Sequence, residues 1–170
     1  MTRAAIVILG TLLLGGCASD VVQTTSEQPT MYLSMANGGA KLDPIAAAQM
    51  ISLYRKNNGL GPVTVDPALM VLAESQSTAM AKRNKMDHEV AGPLGKRINA
   101  AGYPATNAVE NISAGYHTMA EAFSGWRDSP PHRANMLKAG VDKLGIAAVY
   151  APGTKYKVFW TMMLASTEKS

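Results

Sequence analysis

Trp126-Arg127-Asp128-Ser129-Pro130-Pro131-His132-Arg133-Ala134-Asn135-Met136-Leu137 is the most informative stretch of this chain. Two adjacent prolines have no N–H to leave unpaired, so they fit the first turn of a helix. Ser129 before them is placed to cap that helix by bonding the His132 N–H. His132 thereby falls in a first turn, where the positive helix end disfavours imidazolium. The spacing predicts a short helix running to near Gly140. Just upstream, Thr118 and Glu121 have the spacing of a capping box. Met119, Ala122, Phe123 and Trp126 then recur on one face of the helix it starts.

The same signals extend in both directions. Asp43-Pro44 and Asp66-Pro67 each pair a capping carboxylate with a first-turn proline. Ala47, Met50, Ile51 and Tyr54 give the first of these helices a buried face, and Asn57-Asn58-Gly59 ends it. Leu69, Leu72, Ala73 and Met80 line the second. Pro93 to Ala101 reads as a short helix stopped by Gly102. Ala108 to Ser113 alternates as a strand does, which sends Glu110 and Asn111 to opposite faces. Gly145 to Tyr150 leads through Pro152-Gly153 into alternation from Tyr156 to Leu164, a β-hairpin. Helices first and antiparallel strands late predict an α+β layered domain.

Composition narrows the possibilities. The chain has 170 residues, of which 47% are apolar, enough for one domain with a core. A net charge of +4, from 16 basic and 12 acidic residues, is too small and too scattered for a nucleic-acid track. Lys82, Arg83 and Lys85, then Lys96 and Arg97, form a loose basic cluster that reads as solvated helix ends. The single cysteine rules out an intramolecular disulfide framework. The methionines read as core fillers, with no copper-type cluster beside a histidine.

The amino terminus reads as a targeting segment. Arg3 precedes an apolar run from Ala4 to Leu14 that is too short to span a bilayer. Leu14-Gly15-Gly16-Cys17 follows, and it resembles the lipobox of bacterial lipoproteins. That resemblance implies a signal peptide over 1–16, a diacylglycerol on the Cys17 thiol, and cleavage that leaves Cys17 as an acylated N-terminus. One acyl chain holds a protein marginally, whereas two or three hold it firmly. Ala18 stands where many inner-membrane lipoproteins of enteric-type bacteria carry Asp, which implies an outer-membrane lipoprotein facing the periplasm. Residues 17–42 are mostly polar and aperiodic, as in a tether, with Met31-Tyr32-Leu33 able to dock on the domain. Residues 43–166 form the domain.

The chemistry-bearing residues are few. The histidines are His88, His117 and His132. No HExxH, GxSxG or glycine-rich phosphate loop is present, which removes zincins, α/β-hydrolases, kinases and nicotinamide enzymes. His117 reads as a loop residue, Glu121 as a capping partner and Arg133 as a donor to nearby carbonyls or carboxylates.

Met86-Asp87-His88, Glu110-Asn111-Ile112 and the Trp126–Leu137 stretch stand in order, with Asn58-Gly59-Leu60 ahead and Gly145-Ile146-Ala147 and Trp160 behind. Together they resemble the CAP superfamily (SCP-like: cysteine-rich secretory proteins, antigen 5, pathogenesis-related 1), in its short bacterial branch. The resemblance implies an α-β-α sandwich with a mainly antiparallel central sheet. It implies a central cavity in which His88, Glu110 and His132 match two histidines and one glutamate. The position of the second glutamate of animal and plant members is taken by Ser129, so the full tetrad is not present. Two functions follow as expectations. One is a lipid-anchored binding module for a lipid or cell-envelope ligand, with His88, Glu110, Ser129 and His132 lining the cavity. The other is a hydrolase in which His88 and His132 hold zinc beside Glu110. A Ser129–His132 dyad is disfavoured, because a capping serine has its oxygen engaged and the following proline restricts it.

Overall fold

A computed structural model describes residues 28–167. The signal segment, Cys17 and the lipobox lie outside the described residues. Helix α1 (Pro44–Lys56) starts where Asp43 Oδ1 accepts the N–H groups of Ile45 and Ala46, both at 3.0 Å. Asp66 begins α2 (Pro67–Arg83) in the same way, through Ala68 and Leu69. The chain continues through α3 (Leu94–Ala100), β2 (Asn107–Ala114), α4 (Met119–Asp128), α5 (Pro130–Met136), β3 (Lys143–Ala151) and β4 (Lys157–Ser166). A two-residue strand, β1 (Thr64–Val65), precedes α2. Helix α4 opens on the expected capping box. Helix α5 stops at Met136, short of Gly140.

The sheet order is β1-β3-β4-β2. β4 runs antiparallel to both β2 and β3, while β1 pairs with β3 in parallel. The sheet is thus mixed, because the link from α1 to α2 lays Thr64 and Val65 alongside Lys143 and Leu144. β1 is too short to serve the rest of β3, and the Ile146 N–H turns instead to Met70 Sδ at 3.2 Å.

Helices cover both faces. On one, Ile51, Met119, Ala122, Trp126, Met136 and Trp160 share a core cluster, which places α1, α4 and α5 in one layer. On the other, α2 and α3 meet Phe159, Ile112 and Ala165. The result is an α-β-α sandwich. Central strand β4 is therefore buried on both sides from Val158 to Ser166. Tyr156 lies ahead of that strand, and Lys157 at its start is exposed. α2 rests directly on β3: a Cβ on Gly145 would overlap the backbone carbonyl of Leu69, so only glycine admits this approach.

The segment read as a tether is, from Thr30 onward, laid on the domain. It forms a 3₁₀ turn at Thr30–Tyr32, and Met35 is buried in the main core. The Met35 N–H donates to the His117 carbonyl at 2.7 Å. Tyr32 and Leu33 stay exposed while Met31 packs inward.

Candidate functional site

β2 is an edge strand, so the two faces of the sheet meet around it. Its pleat sends Glu110 towards α3 and Asn111 towards α5, as alternation demands. On the α3 side, Glu110 is 5% exposed and both its oxygens are engaged. His88 Nδ1 lies 2.8 Å from Oε1, and Arg97 Nη2 donates to Oε2 at 2.7 Å. Arg97 is buried too, and its Nε donates to the Gly92 carbonyl. Gln76 Nε2 donates to the carbonyls of Asp87 and His88, which fixes the loop carrying the histidine.

On the α5 side, Asn111 Nδ2 donates to the His132 carbonyl at 2.9 Å. Asn135 Nδ2 donates to the Glu110 carbonyl and to Asn111 Oδ1. Trp126 Nε1 points at the Ile112 carbonyl, 3.4 Å away. Asn135 and Trp126 thus reach the Glu110 and Ile112 carbonyls of β2, which protects the edge from pairing with another strand.

The two histidines carry opposite perturbations. The hydrogen bond to Glu110 raises the His88 pKa above its usual 6.5, against desolvation. Burial lowers the His132 pKa, with the nearby charge of His88 adding to it. The direction for His132 is the one its first-turn position predicts, and its leading cause is burial. A neutral imidazole accepts at one nitrogen and donates from the other.

His132 lines a cleft of about 230 Å³ together with Met86, Ile112, Ser113, Trp126 and Ser129. Ser113 is only 6% exposed, and among the described residues its Oγ has no hydrogen-bond partner. Tyr116 closes one side, with its ring packed where a side chain on position 125 would stand.

Several expectations change here. Ser129 stands at the N-cap of α5 but makes no capping hydrogen bond with its side chain. It also closes α4, and its carbonyl rather than its hydroxyl serves α5, accepting from the Arg133 N–H at 2.8 Å. The hydroxyl borders the cleft instead. Arg97 is a buried partner of Glu110, not a solvated helix end. Arg133 is exposed, and among the described residues neither carbonyl nor carboxylate takes its guanidinium. His117 is an exposed loop residue whose N–H donates to Glu121, and Glu121 completes the capping box.

A zinc site would need His88, Glu110 and His132 to turn lone pairs to one point. Among the described residues no group of three or more His, Cys, Asp or Glu is gathered closely enough to hold a metal ion. Glu110 spends both oxygens on His88 and Arg97, and His88 spends Nδ1 on Glu110. The arrangement does not fit a three-ligand zinc. The sequence gives Asn111 a face but no site role, gives Asn135 no role, and reads Arg97 as a solvated helix end. Arg97, one turn after Leu94 on α3, carried the only local hint.

The chain belongs to the CAP family, the cysteine-rich secretory protein family, whose model matches residues 48–164. An uncharacterized protein of Bacillus subtilis, YkwD, is 28% identical over 103 residues, 59% of this chain and 40% of that protein. The chain thus spans about two-fifths of that relative's length. Among solved structures, an outer surface protein from Borrelia burgdorferi superposes with a TM-score of 0.65 at 17% identity, over 74% of this chain and 92% of that one. An extracellular protein containing a SCP domain from Bacillus anthracis gives 0.60 at 25% identity, over 74% and 44% of the two chains. A cysteine-rich secretory protein from Staphylococcus aureus gives 0.60 at 14%, over 72% and 37%.

Proposed function

We propose that this protein is an extracytoplasmic, lipid-anchored CAP module that binds a small ligand, or one end of a larger one, in the cleft beside His132, without turning it over. The observation that carries the reading is the Ser113 hydroxyl, buried in the cleft wall without a partner among the described residues. A buried hydroxyl left unpaired costs about 1–3 kcal/mol, which a ligand's hydrogen bond would recover. Trp126, Ile112 and Met86 supply apolar walls, while His132 and Ser129 supply a polar rim. At about 230 Å³ the cleft is smaller than the ~300–1,000 Å³ sites that enclose drug-sized ligands.

Glu110 speaks against turnover. Its two oxygens are each engaged, one by a buried arginine and one by a histidine, so the carboxylate is poorly placed to activate water. For the location, support comes from the lipobox-like Leu14-Gly15-Gly16-Cys17 and from the extracellular relative of Bacillus anthracis. Ala18 after Cys17 favours the outer membrane, facing the periplasm.

Native mass spectrometry of protein purified from membranes tests the binding. The wild type should carry a small adduct that Ser113→Ala and His132→Phe each lose. A bare chain in all three would overturn the reading, and appearance of a cleaved product on incubation would replace it with a hydrolase.

A further inference from the structure

α1 carries apolar residues on two sides. Ala47, Ala48 and Ile51 enter the core, but Ile45 and Leu53 on the outer side are 58% and 60% exposed. Gln49 stands one turn from each, so the three form a single outward stripe, with the exposed Lys56 close beyond it. Beside Ile45 runs a shallow apolar groove of about 260 Å³ between α1 and β1, floored by Ala48, Val63 and Val65. Tyr32 and Leu33 add exposed apolar surface at the start of the helix. The Thr30 hydroxyl just before them is 3.2 Å from Asp43 Oδ2, which holds that turn against the helix N-cap.

Charge and chain direction say what meets this face. From Gln28 to Val63 the sequence contains one acid, Asp43, whose carboxylate is taken by Ile45, Ala46 and Thr30. Lys41 and Lys56 stand exposed near the two ends of the helix. Gln28 donates to the Tyr32 carbonyl, so the chain that leads back to Cys17 joins the domain at the turn held against the start of α1. Cys17 to Gln28 can span at most ~40 Å even when fully extended, which keeps the domain close to anything Cys17 is fixed to.

We infer that the outer face of α1, with Tyr32 and Leu33, lies on the phospholipid surface in which Cys17 is anchored. The inference rests on the lipid-anchor part of the proposed function. An amphipathic helix lying in the interface buries its apolar stripe at the headgroup boundary. Flanking lysines are drawn to anionic headgroups. The anchor supplies the affinity, and this face sets which side of the domain looks at the bilayer.

The test uses the full mature chain. With the Cys17 thiol taken by the anchor, an introduced cysteine is the one thiol to label. Ile45→Cys, Leu53→Cys and, as a control on the α2 layer, Val71→Cys carry the fluorophore NBD. Val71 is 67% exposed. Each protein is reconstituted in vesicles of phosphatidylethanolamine and phosphatidylglycerol, and reduction by aqueous dithionite is timed. Reduction should be several-fold slower at 45 and 53 than at 71, and equal at all three in solution without vesicles. Equal rates on vesicles, with the acyl mass verified on Cys17, would overturn the inference. Slow reduction at 45 and 53 without vesicles would also overturn it. A dependence on protein concentration would then identify a second copy as the occupant, and independence the chain's own N-terminal segment. Absence of the acyl mass would sink the anchor reading by itself. The labelled proteins are then added to preformed vesicles, where shielding at 45 and 53 upholds the face and equal rates overturn it.

Discussion

Glu110 is the residue on which the site turns. It is a buried carboxylate whose permanent partner is Arg97 and whose switchable partner is His88, 53% exposed at its side chain. The sign of each histidine's contribution follows from its shift. His88 is raised above 6.5, so its stabilisation is complete below that pH and is lost as pH rises through the folded value. Solvent screening of a half-exposed ring keeps that contribution small. His132 is lowered, so its contribution is present above 6.5 and lost as pH falls towards the folded value. An NMR titration of the ring protons should find His88 titrating above 6.5 and His132 below it; the reverse order would refute the placement of both rings. Arg97→Met sharpens the test. Leaving Glu110 buried without its arginine should cost roughly 3–5 kcal/mol in urea denaturation. The same change should raise the His88 pKa further, because the Arg97 charge works against the imidazolium.

At the scale of the element, α4 links packing to the site. Its capping box sets the start, and Met119, Ala122 and Trp126 are buried from there on. Trp126 fills the core, borders the cleft and points its Nε1 at the edge of β2. Trp126→Ala should therefore destabilise the domain by roughly 3–5 kcal/mol. A melting temperature unchanged within error would contradict the burial of this face. The four residues Pro130–Arg133 show a different kind of dependence. Two prolines start α5 from its backbone alone, and that frees the Ser129 hydroxyl for the cleft. The Ser129 oxygen is therefore not engaged as a cap. Yet among the described residues no hydrogen bond joins the two side chains, so no activated nucleophile is assembled.

For the molecule as a whole, one buried cation ties distant segments together. Arg55 on α1 is 1% exposed and donates to the carbonyls of Gly61, Met136, Lys138 and Val141. Five-donor geometry suits a guanidinium to this cage of backbone oxygens, and lysine could not span it. The cage fixes the turn after α5, and so the start of β3, to the end of α1. The lipid anchor proposed for Cys17 is tested on the whole chain. Cys17→Ala should abolish labelling by palmitate and leave the precursor uncleaved by the lipoprotein peptidase, since acylation of the thiol precedes cleavage. Continued incorporation of label would refute the lipobox reading.

The helix starts were written locally. A cap joins residues two or three apart, so Asp43, Asp66 and the Thr118–Glu121 box could be read from neighbours alone. Strand alternation is equally local, and it separated Glu110 from Asn111 before any fold was known. The order of His88, Glu110 and His132 along the chain says nothing of the sides from which they reach β2: His88 meets Glu110 on one face, and His132 stands beside Asn111 on the other. Long-range register decided that. The pairing of β2 with β4, and the helices laid on both faces, buried Arg97 against Glu110 and covered β4 on each side. It also left the Ser113 hydroxyl in a cleft wall with no partner among the described residues. A cap is enforced by the covalent chain itself. A buried ion pair or an orphaned hydroxyl exists only once distant segments have expelled the water between them, and no window of neighbouring residues encodes that.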